Sequence, residues 1–235
     1  MNSATSPFRN VLVSMTLALV ASSLASHNLA AQNQAAPAAD AVVQVDFSNP
    51  GLSPPQWTMT IRPDGSGHFR SEMGKPKDDS TKGIETPGVD RDVHVSPQFA
   101  GRVFESARRH NWFNQPCESH LKVAFQGWKT LTYSGPQGQG TCTFNYSKDK
   151  EIQDLGDSLE AVATTILEGA RLELLLQHDR LGLDEEMGFL AEAAEDGRAQ
   201  ELCVIRDILQ RLVEDDGVLE RVRRRAKSLL AQGST

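Results

Sequence analysis

Several things that this chain of 235 residues lacks bound its function before anything it contains is considered. Long apolar runs are missing. The one candidate, Val11 to Val20 followed by the mostly small residues Ala21 to Ala25, has an apolar core of only about 15 residues, short of the roughly 20 that a spanning helix needs. A basic surplus is missing too: the net charge of −7 and the pI near 5.4 argue against a general nucleic-acid binder, which would carry a basic face. His68, His94, His110, His120 and His178 stand singly, without the close spacing of a zinc site. Cys117 with His120 is a lone pair that lacks two further ligands. Phosphate-binding glycine spacings are absent, because the run Gly135-Pro136-Gln137-Gly138-Gln139-Gly140 matches neither pattern and joins two strands rather than a strand to a helix.

One catalytic signature does occur by letter. Gly156-Asp157-Ser158-Leu159 spells the four-residue signature of a lipase and esterase family, whose serine sits near the N-terminus on the turn after the first strand of an α/β sheet. Here the four residues fall inside an amphipathic helix. His178, the last histidine, has Leu175 rather than an aspartate three residues before it, so the match is rejected. No catalytic, cofactor-binding or metal-ligating residue is therefore assigned, and no cofactor is implied. One arrangement stays open: His68 on a strand and His120 at a strand start would form an acid/base site if the fold brought them together with a carboxylate or a serine.

What is present begins with the N-terminus. Arg9, the apolar stretch after it and the small residues that follow have the layout of an export signal, with cleavage after Ala25 or Ala31. No cysteine follows the apolar stretch, so a lipid anchor is not expected and the mature protein is expected to be soluble, periplasmic or secreted. Residues 1–31 are thus read as signal peptide. Residues 32–41, rich in Ala, Gln and Pro, are read as a flexible leader.

The mature chain divides by period. Residues 42–147 alternate apolar and polar residues between turn signals, the pattern of half-buried antiparallel strands. Val42 to Phe47 is a first strand. Trp57 to Ile61 and His68 to Arg70 form a hairpin around Pro63-Asp64-Gly65-Ser66-Gly67, and Asp92 to Val95 is a short strand. Gly74 to Asp90 is a long polar loop. Leu121, Val123, Phe125, then Leu131, Tyr133, then Cys142, Phe144, Tyr146 predict a three-stranded meander. Between these strands, Ser96-Pro97 predicts an N-cap and first turn for a helix that buries Phe99, Val103, Phe104 and Ala107. Its basic end, Arg108-Arg109-His110, suits the negative pole of the helix.

After Ser147 the apolar spacing changes to three and four. Lys150 to His178 reads as one long amphipathic helix, followed by helices over Asp184–Glu195, Arg198–Leu212 and Val218–Leu230, with Gly182, Gly197 and Gly217 at the joints. Residues 148–231 are therefore a helical region in which a basic last helix is expected to pair with its acidic neighbours. The whole is expected to be α+β: a mostly antiparallel sheet with one packed helix, then an all-helical C-terminal part.

Of the three cysteines, Cys117 and Cys142 bracket the meander and are expected to pair in an oxidising compartment, leaving Cys203 free. In a simple meander Cys117 would stand two strands away from Cys142, on the order of 15 Å. The bridge therefore requires the Asn114–Ser119 loop to fold back over the sheet. Trp57 and Trp112 are expected in the core. Trp128, just after a turn, is balanced between core packing and an aromatic groove for a glycan or peptide.

The order of strand, Asp-Gly hairpin, helix, hairpin and helix resembles secreted bacterial domains of unknown function. The resemblance covers about Val42 to Ile166 and rests on Trp57 to Phe69, Ser96 to Phe104 and Leu121 to Tyr146. It implies a location in the cell envelope and no particular activity. Two readings of function follow. The first is a non-enzymatic binding or interaction module of the cell envelope, with a protein partner on the helical C-terminal region and no nucleic acid or membrane anchor. The second is a small envelope hydrolase built on histidines of the sheet.

Overall fold

The computed structural model describes residues 40–74 and 87–233. The signal segment, nearly all of the leader and residues 75–86 of the polar loop lie outside them. Alternation builds the sheet. Val43, Val45 and Phe47 of β1 (Val42–Ser48) bury their side chains on one face, beside Trp57, Met59 and Ile61 of β2 (Gln56–Ile61). Phe69 of β3 (Ser66–Ser71) and Val93 of β4 (Asp90–His94) continue that face on one side. Leu131 and Tyr133 of β5 (Trp128–Gly135) and Cys142 and Phe144 of β6 (Gly138–Phe144) continue it on the other. Every neighbouring pair is antiparallel, in the order β4-β3-β2-β1-β5-β6. The β2–β3 turn places Gly65 at φ +85°, which a residue with a Cβ rarely adopts.

Two helices cover the apolar face. The first, α1 (Pro97–Arg109), starts where Ser96 Oγ accepts the Phe99 amide, with proline in the first turn. The second, α2 (Lys150–His178), is capped by Asp149, whose carboxylate accepts the amides of Glu151 and Ile152. The end of α1 meets the start of α2 through polar side chains: His110 Nε2 lies 3.2 Å from Asp149 and Arg109 lies 3.4 Å from Glu151. Edge-to-face packing of Phe104 on Tyr133, with centroids 6.3 Å apart, ties α1 to the sheet.

The remaining helices are α3 (Leu183–Glu195), α4 (Arg206–Glu214) and α5 (Glu220–Gln232). Their buried residues join those of the sheet and α2 in one continuous apolar cluster. A carboxylate fastens the helical part to the sheet part: Glu201 accepts both the amide and the hydroxyl of Ser96, at 2.6 and 3.0 Å. The basic α5 pairs with acidic residues as its composition suggests, through Arg221 and Arg225 to Asp184 and Arg223 to Asp216 and Glu220. The α+β class is as expected, and α2 has the bounds its periodicity predicts.

Two elements differ from expectation. Leu121 to Phe125 is not a strand, because β1 occupies the edge of β5 on which a meander would have placed it. The segment instead runs outside the sheet, held by Asn145, whose side chain accepts the Gln126 amide and donates to the Ala124 carbonyl. This also removes the obstacle to the disulfide. Cys117 and Cys142 are bonded, with Cα atoms 5.6 Å apart.

The helix expected over Arg198–Leu212 is likewise broken, into a 3₁₀ turn over Leu202–Ile205 and α4. Gly197 ends α3 with φ +76°, and the backbone after it pairs with α2 instead of with itself: the Gln200 amide donates to the Ala161 carbonyl and Thr165 Oγ1 donates to the Gln200 carbonyl. The hydrogen bond from the buried Thr165 hydroxyl offsets part of what the lost helical turn would have contributed.

Glycines on two helices give opposite predictions. Gly101 in α1 has open space where a Cβ would stand, so Gly101→Ala should stabilise the protein by about 0.8–1 kcal/mol through helix propensity. At Gly169 in α2 a Cβ would collide with the Ile205 side chain. Overpacking of about 1–3 kcal/mol should outweigh a propensity gain of about 1 kcal/mol, leaving Gly169→Ala less stable. Urea denaturation of the two variants measures both signs.

Candidate functional site

The histidines do not assemble. His68 of β3 lies between two aspartates of β4, with Nε2 3.0 Å from Asp90 and Nδ1 2.9 Å from Asp92. His94 shares that strand and face. His120 sits beyond the other edge of the sheet, where Glu118 accepts its amide at 2.9 Å and that of Asn145 at 2.7 Å. From β3 to β6 is four strand spacings, roughly 19 Å. Among the described residues no group of three or more His, Cys, Asp or Glu is placed to hold a metal ion.

The Gly-Asp-Ser-Leu tetrapeptide serves packing. A Cβ on Gly156 would lie 2.8 Å from Lys129 Cδ and 2.9 Å from the Phe144 ring, so glycine lets α2 settle onto β5 and β6. Lys129 is 1% exposed, and its ammonium lies 3.3 Å from Glu160. The contact is off the hydrogen-bonding direction, leaving attraction of charge as the link. Burial raises the pKa of Glu160, opposed by Lys129, and burial does the same to Asp157. The parity of β5 announces an inward Lys129, since Leu131 and Tyr133 face the same way; only the expectation that lysine stays outside hides it.

Cys203 is free and half-buried. Burial, together with the neighbouring Glu201 carboxylate, pushes its thiol up to about 11, so it is almost wholly protonated near neutral pH and a poor nucleophile.

Of the tryptophans, Trp57 is buried and stacked on Phe47 at 5.1 Å. Trp112 is half-buried, in disagreement with a simple core position. It stacks on Tyr133 at 4.5 Å within a turn where Asn111, Trp112 and Phe113 all have positive φ. Trp128 is 45% exposed and meets Phe125 edge-to-face at 6.0 Å. Leu121, Val123 and Leu52 are also exposed.

Trp128 heads the outer face of the sheet. Strand parity puts Thr130 and Thr132 of β5, Thr141 and Thr143 of β6, Gln44 and Asp46 of β1 and Thr58 and Thr60 of β2 on that face, exposed or half-buried. Their hydroxyls pair across strands: Thr130 with Thr143 at 2.9 Å, Thr132 with Thr141 at 3.0 Å. Thr58 Oγ1 and Gln44 Nε2 donate to the Asp46 carboxylate at 2.7 and 2.9 Å. The face is a hydrogen-bonded polar grid with an aromatic pair at one end. No protein-family profile matches the chain, and no curated protein does. No described helix is long and apolar enough to cross a membrane.

Two predictions follow from these charges. Lys129→Met should cost less than about 1 kcal/mol, since it removes a desolvated ammonium and Glu160 still reaches water, whereas Glu160→Leu leaves that ammonium buried and should cost about 2 kcal/mol or more. Chemical denaturation ranks the two; equal losses would argue against charge as the reason. Hydrogen bonding to Asp92, then attraction to Asp90, raises the pKa of His68. Its contribution to stability is therefore complete below about pH 6.5 and fades as pH rises through the folded value. NMR titration should show that raised value and its return toward the ordinary one in Asp92→Asn.

Proposed function

We propose that this protein is an exported, non-enzymatic binding module of the cell envelope, and that its ligand sits on the outer face of the sheet at Trp128. The observation that carries this is the pairing of Trp128 and Phe125, two exposed aromatics fixed against each other at the head of a hydrogen-bonded polar face. Large apolar side chains left in solvent together are the usual mark of a contact surface. Export is supported by the signal-like N-terminus and by the Cys117–Cys142 bond, which persists in oxidising compartments. The periplasm or the medium is the proposed location.

A protein partner on the helical region is a second reading with its own support. Leu181 is 83% exposed, and Leu219 is exposed at the same end, where the Arg180–Asp215 pair at 2.9 Å joins the α2–α3 and α4–α5 connections.

Capture of components from envelope extract by the mature chain tests both surfaces. Trp128→Ala should reduce the principal captured component about tenfold or more, the loss expected of a central aromatic anchor. Leu181→Ser with Leu219→Ser should affect only a component held by the helical end. His68→Ala with His120→Ala should change neither. An envelope substrate hydrolysed by the wild type and not by the histidine variant would overturn the reading.

A further inference from the structure

We propose that the ligand of the outer sheet face is an uncharged, polyhydroxylated glycan chain, an inference that rests on the reading of the protein as a binding module. Three features of the face select this class. The first is Trp128, held edge-to-face by Phe125 at 6.0 Å, which offers flat apolar area with little motion left to lose. A sugar ring presents a comparably flat surface of C–H groups to such an indole.

The second is the chemistry of the grid. In each threonine pair, Thr130–Thr143 and Thr132–Thr141, one hydroxyl proton is spent on the partner, so the pair presents its other proton together with lone pairs. The two pairs repeat two residues apart along the strands, roughly 7 Å, and each can both donate to and accept from hydroxyls of a ligand. The Asp46 carboxylate, oriented by Thr58 and Gln44, adds a fixed acceptor in the same rows.

The third is charge. Asp46, Asp90 and Asp92 share this face with Arg70, whose charge is permanent, and with His68 and His94, so a nucleic acid or acidic polysaccharide would meet three carboxylates and one fixed cation. An extended peptide is a poorer fit for a different reason. It adds to a sheet through the main chain of an edge strand, whereas Trp128, Thr130 and Thr132 belong to the interior strand β5.

The test titrates the mature chain with cellohexaose, hexa-N-acetylchitohexaose and polygalacturonate, following tryptophan emission and calorimetric heat. At least one of the two neutral oligosaccharides should bind and polygalacturonate should not. Trp128→Ala should weaken that binding about tenfold or more. Thr132→Val with Thr141→Val replaces both members of a hydroxyl pair by isosteres, so it should melt like the wild type yet bind about fivefold more weakly. Failure of both neutral oligosaccharides to bind, preferential binding of polygalacturonate, or binding indifferent to both variants overturns the glycan. If the neutral oligosaccharides fail while capture of an envelope component still depends on Trp128, the glycan falls and the binding face stands. If capture is also indifferent to Trp128, both readings fall.

Discussion

The seat of α2 on the sheet is the constraint from which the rest of the molecule follows. A 29-residue helix lies across β5 and β6 because Gly156 removes the one side chain that would keep it away from Lys129 and Phe144. Thirteen residues later, by the difference of their positions, Gly169 does the same for Ile205 of the 3₁₀ turn. The same helix thus closes the sheet's core on one side and opens the helical part's core on another, which is why the buried residues form one cluster. Close approach also explains the unusual company it keeps: a lysine pressed beneath α2 can be tolerated only with a carboxylate a few ångströms away.

The disulfide and the side chains of Glu118 and Asn145 solve a second problem. With β1 inserted beside β5, the residues from Asn114 to Gly127 have no place in the sheet, and they must travel past its edge before entering β5. Cys117 pins the start of that passage to β6, while Glu118 and Asn145 fix its middle and end. Burial alone would raise the Glu118 carboxyl, but the amides of Asn145, His120 and Tyr146 and the Ser119 hydroxyl together outweigh it and hold the pKa low, so the anchor is charged at neutral pH. Phe125 reaches Trp128 because the passage is held in this way.

Local patterns carried most of the architecture in the sequence. Ser96-Pro97 announced α1, the spacing from Ile152 to Leu176 announced α2, and the alternation around Gly65 announced the β2–β3 hairpin. Local pattern and structure part where a distant partner outbids a local one. Leu121, Val123 and Phe125 alternate as well as any strand here, yet β1 claims the hydrogen-bonding edge they would need. Arg198 to Gln200 suits a helix, but Gly197 and the buried Thr165 draw its backbone to α2. The outer face was legible in part. Parity places Trp128 and the threonines together, and what could not be read from it is which strands stand side by side.

The strand order carries a consequence for how the chain reaches its native state. β1 pairs with β2 a few residues later, but its other partner is distant: Val42 faces Ser134, 134 − 42 = 92 residues away, and Ser48 faces Trp128, 128 − 48 = 80 residues away. Closing so long a loop costs little extra free energy, since each doubling adds only about 0.6 kcal/mol, but it slows the search for the pairing. Until β5 arrives, the β1–β4 meander presents the inner edge of β1 as an open template of unpaired amides and carbonyls. Pairing with the tryptophan-bearing strand closes that edge and turns β1 from the end of a local meander into an interior strand of the sheet.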